Sequence, residues 1–146
     1  MTAPQLKYLP MKTLFLDFDG VLHSMAQTAT RPFERLALIE PLVDAASFQV
    51  VISSSWRFHF ELHDICQRLG RLRGLVVGTT GDAVIGRHAR YREIQAYVRD
   101  YSITDWRALD DAYLEFPEET PELILCDPRV GVEESGVIRL REWLQT

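Results

Sequence analysis

With 146 residues, 47% of them hydrophobic and 25% charged, the chain has room for one ordinary domain with a sizeable core and little room for two. No apolar run approaches a membrane span. The opening MTAPQLKYLPMK lacks the basic start and continuous apolar core of a secretory signal, so a cytoplasmic protein with no membrane partner is expected. The net charge of −5 argues weakly against a nucleic-acid partner, although seven arginines between Arg57 and Arg92 face only Glu61, Asp64 and Asp82.

Residues 1–11 read as an N-terminal extension and 12–146 as a single domain. TLFLDF, beginning at Thr13, has the unbroken apolar character of a strand buried on both faces. Phe33 to Ala46 then repeats apolar residues at helical spacing, with Pro41 set to kink or restart the helix. FQVVIS at 48–53 is a second strand, and 56–69 a helix stopped by Gly70. GLVVG at 74–78 is a third strand, and Tyr91 to Tyr101 an amphipathic helix with Ile94, Tyr97 and Val98 on one face. WRALDD at 106–111 and ELILCD at 122–127 complete the strands, and Glu133 to Leu144 closes the chain as a helix. Strands alternating with helices predict an α/β fold: a Rossmann-like three-layer sandwich, with about five parallel strands covered on both faces and no large cap domain.

In such sheets ligands gather beyond the carboxyl ends of the strands. The first strand ends in Asp17-Phe18-Asp19-Gly20, the second in Ser53-Ser54-Ser55 and the fourth in Asp110-Asp111. Brought together, four carboxylates cannot all stay ionised without a cation. A set of oxygens with no histidine or thiolate among them suits Mg²⁺. The same grouping suggests phosphoryl chemistry. One aspartate can attack phosphorus, a second acid can move protons, and a hydroxyl and an arginine can hold the phosphoryl oxygens. Arg57, Arg90 and Arg92 are the available cations.

At these residues the chain resembles a known family. DFDGV at 17–21, VISSS at 51–55, RYREI at 90–94 and ALDD at 108–111 look like the four ordered motifs of the haloacid dehalogenase (HAD) superfamily of phosphotransferases. DFDGVLH, ISSSWR and RxxEI look most like its small capless group associated with RNA repair proteins. The resemblance runs from Lys12 to about Asp127. It implies Asp17 as nucleophile and metal ligand, and Asp19 as general acid/base with its backbone carbonyl on the metal. It further implies Ser54 or its rival Ser53 on the phosphoryl group, Arg90 or its alternative Arg92 as the neutralising cation, and Asp110 with Asp111 on magnesium. The third motif departs from the lysine more usual in the superfamily.

Plainer roles compete. Asp17 and Asp19 suit a turn, the serines suit a helix cap, and Asp110 and Asp111 suit a cap as well. His59 and His63 stand at i and i+4, but Phe60 occupies the place where the zinc-protease pattern needs Glu, so they read as an exposed helix face. Trp56, Trp106 and Trp143 read as core, and Cys66 and Cys126 as buried thiols in a reducing cytosol. His23 and Arg57 are candidate substrate contacts, along with Arg92. The short intervals between motifs leave no space for a large cap, so the open site favours a phosphate on a bulky molecule, with a nucleic-acid end ahead of a phosphoprotein. The alternatives are a phosphatase of small phosphometabolites or nucleotides and a non-catalytic binding module.

Overall fold

The computed structural model describes residues 11–26 and 31–146, so the expected extension lies outside the described residues except for Met11. Five parallel strands form one sheet: β1 (Lys12–Leu16), β2 (Phe48–Ile52), β3 (Val76–Thr79), β4 (Trp106–Asp110) and β5 (Leu123–Leu125), in the order β3-β2-β1-β4-β5. The chain steps outward from β1 to β3 and then returns to the other side of β1. The sheet therefore reverses its winding between β1 and β4.

Side-chain alternation assigns the two faces. Leu14, Leu16, Val50, Ile52, Leu109 and Ile124 point into the larger core. There they meet α1 (Leu36–Ile39), α2 (Leu62–Gln67) and α4 (Glu134–Leu144) through Ile39, Ile65 and Leu140. Phe15, Val51 and Ala108 point the other way, onto α3 (Ala89–Asp100), whose Ile94, Tyr97 and Val98 cover them. Phe15 is met edge-on by Tyr97 at 5.7 Å and Trp106 at 5.6 Å. The result is the expected three-layer, Rossmann-like sandwich.

Local structure departs from the expected elements where chemistry interferes. Between 33 and 46 only Leu36–Ile39 is α-helical, and Glu40–Asp44 tightens into a 3₁₀ run, because Pro41 has no amide to continue the ladder. The helix expected over 56–69 splits into a 3₁₀ turn at Ser55–Phe58 and α2, with Glu61 extended between them. Trp56, Phe58 and Phe60 alternate at i, i+2, a spacing that no single helix face can bury. The third strand starts at Val76, after a 3₁₀ run at Gly70–Leu75. Trp106 and Trp143 are core residues, whereas Trp56 is only half-buried. Cys126 is buried and Cys66 half-buried, and both thiols are free.

A buried ion pair ties α3 to the end of β2. Arg57 donates from Nη2 to Glu93 Oε1 at 2.7 Å, with the two side chains only 4% and 7% exposed. Its Nη1 donates to the carbonyls of Ser53 at 2.8 Å and Ser54 at 3.1 Å, and its Nε to that of Gly81 at 3.1 Å. Glu93 Oε2 accepts from the Val84 amide at 3.1 Å, so one pair fixes a strand end, a loop and a helix. Glu93→Ala should cost about 3–5 kcal/mol in urea unfolding, because it leaves a buried guanidinium without its counter-charge. The paired replacement Arg57→Met, Glu93→Leu should recover much of that loss. A single-variant cost below about 1 kcal/mol, the range of an exposed pair, would show that α3 is held by other contacts.

Candidate active site

The sheet ladder runs one residue past the strands. Asp17 donates its amide to Leu109 O at 3.1 Å, Ser53 to Leu16 O at 3.0 Å, Thr80 to Ile52 O at 2.9 Å and Cys126 to Asp110 O at 2.8 Å. Leu16 is in register with Ile52 and Leu109, and Ile52 with Thr79. The next row is therefore Thr80, Ser53, Asp17, Asp110. Alternation turns all four toward α3, on the same side as Phe15, Val51 and Ala108. Four polar residues thus occupy one row at the point where the sheet changes direction, the usual ligand position in such folds.

Asp17 is 5% exposed and Asp110 fully buried. With half-buried Asp111 they form a cluster whose carboxylate oxygens lie within 4.8 Å of one another. Gly20, at φ 75°, gives Asp111 its place, because any Cβ at residue 20 would collide with the Asp111 carboxylate. Arg90, near the start of α3, answers the charge: its Nη1 is 2.6 Å from Asp110 Oδ2 and 3.5 Å from Asp17 Oδ1. The Arg90 amide in turn donates to Glu115 Oε2 at 3.2 Å, and Asp110 Oδ1 accepts from the Ala112 amide at 3.0 Å. Burial pushes Asp110 up to about 7, with Asp17 pushing the same way and Arg90 pulling back. Burial likewise lifts Asp17 well above the usual carboxylate range, Arg90 opposing and Asp111 adding to the rise. The Asp111 carboxyl is also raised, first by burial.

Asp19 lies apart from this cluster and is 40% exposed. His23 Nε2 is 2.7 Å from Asp19 Oδ1, and Trp56 Nε1 donates to Asp19 Oδ2 at 3.2 Å. Because the Phe33 amide donates to His23 Nδ1 at 3.2 Å, the neutral ring carries its proton on Nε2 and donates it to Asp19. Both ring nitrogens thus have protein partners. Ser54 Oγ accepts from the Trp56 amide at 3.2 Å and caps the 3₁₀ turn, whereas the buried hydroxyls of Ser53 and Thr80 have no partner among the described residues. Arg57 turns inward to Glu93, and exposed Arg92 reaches Ile85 O at 3.3 Å, so Arg90 is the arginine that touches Asp17 and Asp110. His63 pairs with Gln67 at 3.0 Å on an exposed surface. Thr80, Glu115 and the contact from Trp56 to Asp19 did not emerge from sequence reasoning. Register with Ser53 is the only signal that marks Thr80.

A family model described as the HAD domain in Swiss Army Knife RNA repair proteins matches residues 13–137. The chain belongs to this family of HAD domains. No curated protein and no solved structure matches it. The five-stranded parallel sheet is the capless HAD fold, and among the described residues the segments between strands form only helices and loops of that one sandwich. Membership points to phosphatase-type hydrolysis and to a phosphorylated substrate in general. No helix among the described residues is long and apolar enough to cross a membrane.

The donor set fits a divalent cation. Three carboxylates against one guanidinium leave two negative charges, and every donor in the cluster is a hard oxygen. The raised carboxyls fix the pH dependence. Below the ordinary carboxylate range all are protonated, folded or unfolded. As pH rises toward 7, the unfolded chain gives up protons that the folded site retains, so metal-free stability should fall and then level off above about 7. A Mg²⁺ ion held by these carboxylates would compete with those protons, so its stabilising shift in Tm should be larger at pH 8 than at pH 5.5. Asp17→Asn should raise metal-free Tm at pH 8 and shrink the Mg²⁺ shift. An equal shift at both pH values would rule out these carboxylates as the ligands.

Proposed function

We propose that this HAD domain is a Mg²⁺-dependent phosphohydrolase that works through an aspartyl-phosphate on Asp17, acting on a phosphate carried by a nucleic-acid end. The observation that carries the reading is the convergence of Asp17, Asp110, Asp111 and Arg90, two buried carboxylates among them, at the switch point of the sheet.

Asp17 attacks phosphorus through a carboxylate oxygen, and the bond from phosphorus to the leaving oxygen breaks. Asp19, reached by water and by substrate, gives its proton to that oxygen. Asp19 then takes a proton from a water whose oxygen attacks the phosphoryl group, and Asp17 leaves as a carboxylate. Arg90 holds the phosphoryl oxygens: all its side-chain contacts among the described residues are at Nη1, which leaves Nε and Nη2 as donors. The Ser53 hydroxyl, unpartnered among the described residues, supports Ser53 ahead of Ser54 as the phosphoryl donor. Magnesium held by Asp17, Asp110, Asp111 and the carbonyl of Asp19 would keep the nucleophile ionised and offset the charge of the phosphoryl group. His23 and Trp56 orient Asp19, while Arg57 and Arg92 stand at the margin of the site.

The nucleic-acid end is favoured by the open, capless site and by the RNA repair proteins named in the family description. Two free thiols support a reducing, cytoplasmic setting. With Mg²⁺, the protein should release phosphate from acetyl phosphate and from aryl and alkyl phosphates. Asp17→Asn should lower turnover by about 10³-fold or more while its circular dichroism spectrum stays native. Asp19→Asn should impair alkyl phosphates far more than aryl phosphates, whose leaving oxygens need less protonation. Undiminished turnover by Asp17→Asn would overturn the nucleophile.

A further inference from the structure

We propose that Trp56, Phe60 and Arg68 form a base-stacking subsite for the nucleoside that departs with the scissile oxygen. The inference rests on the phosphohydrolase reading and adds where the rest of the substrate lies. An in-line displacement puts the leaving oxygen opposite Asp17, on the side of the acid that protonates it. That acid, Asp19, is bonded to the indole N–H of Trp56 at 3.2 Å. The body of the leaving group therefore emerges over the Trp56 side of the site.

What it meets there is aromatic and positively charged. The rings of Trp56 and Phe60 are 4.9 Å apart at an interplanar angle of 34°. The Arg68 guanidinium stands 5.7 Å from both ring centroids. Phe60 is 42% and Phe58 49% exposed, a large apolar surface to leave in water without an occupant. Both line an open cleft of about 490 Å³ that also takes in Arg57, Leu62 and Thr79, with Glu61 as its one acid. The Arg57 guanidinium, bound inward to Glu93, backs the Phe58 ring at 4.0 Å from its centroid, so the free cation of the surface among the described residues is Arg68. Aromatic faces interleaved with guanidinium groups suit unpaired bases, which stack on rings whatever their sequence and carry phosphates for the cations. Arg68 and Arg73 are both exposed and can meet the next phosphate.

The test pairs short RNA strands bearing a phosphate at the 3′ or 5′ end, with the terminal residue either intact or abasic. In the wild-type protein, kcat/KM for the intact end should exceed that for the abasic end by about tenfold or more, the scale of one stacked base. Phe60→Ala should bring the ratio close to one, and Arg68→Gln should reduce it; the ratio within each variant controls for any general loss of activity. Hydrolysis of acetyl phosphate by the wild-type protein, with an intact-to-abasic ratio near one, would overturn the subsite and leave the phosphohydrolase reading standing. If no substrate is hydrolysed, binding decides. Trp56 is the one tryptophan outside the core, so intact ends should quench the fluorescence of Asp17→Asn protein more than abasic ends do, and Phe60→Ala should abolish the difference. Equal quenching would overturn the subsite. A phosphotyrosine peptide that surpasses the intact RNA end, with the same dependence on Phe60, would overturn the nucleoside assignment in favour of a protein substrate.

Discussion

Two like charges, Asp17 and Asp110, are held side by side in register at the one place where the sheet reverses its winding, and the surrounding structure answers that repulsion. Burial removes the water that would screen them and lifts both carboxyls far from their ordinary range. Arg90 supplies one positive charge, 2.6 Å from Asp110 and 3.5 Å from Asp17, so its position matters. That position depends on α3, and α3 is held at three places. Glu115 takes the amide of Arg90, Glu93 locks to Arg57 beneath the end of β2, and Ile94 and Tyr97 pack over Phe15 and Val51. Stability and site geometry therefore share the same contacts. Loosening the helix would release the charge that keeps the carboxylates tolerable.

The precision of the arrangement comes from the ladder. Backbone hydrogen bonds continue one residue beyond β1, β2 and β3, so Asp17, Ser53 and Thr80 are placed as firmly as strand residues although each stands at a loop entrance. Period-two alternation then selects the face. Ser53 shares its face with Val51 and turns to α3, whereas Ser54 faces the other way and caps the following turn. A one-residue slip of β2 would exchange these roles and turn the wrong hydroxyl toward α3.

TLFLDF and FQVVIS are legible as buried strands because a parallel sheet covered on both faces needs such apolar runs. The strand order came from no residue pattern and required the structure. Where the helices are shorter than expected, the reason is local. Pro41 removed an amide, and the alternating aromatics 56, 58 and 60 could not be buried on one face. The acids at the strand ends were legible as a group because the fold class predicts that such ends converge. The other residues of the site were not. Thr80, Glu115 and Trp56 act through register or through loops whose paths depend on tertiary packing, and none belongs to a pattern that spacing could mark.

The chain also separates two carboxylates that lie only two residues apart, and DFDG shows how. Asp17 continues the strand and faces α3. Phe18 points to the opposite core, wholly buried and met edge-on by Phe33 at 5.3 Å and Trp56 at 5.7 Å, so it anchors the turn. Asp19 returns to the side of the site, but the chain has now left the ladder and its carboxylate reaches solvent. Gly20, at a φ suited to glycine, turns the chain away and leaves room for Asp111. One acid is therefore dry and dependent on counter-charge, while its neighbour is half in water and steered by two N–H donors. The proposed phosphoryl transfer through Asp17 would use both environments, because a nucleophile must be fixed and ionised whereas an acid/base must exchange protons with what enters and leaves. The difference arises within four residues, through a buried aromatic anchor followed by a glycine turn.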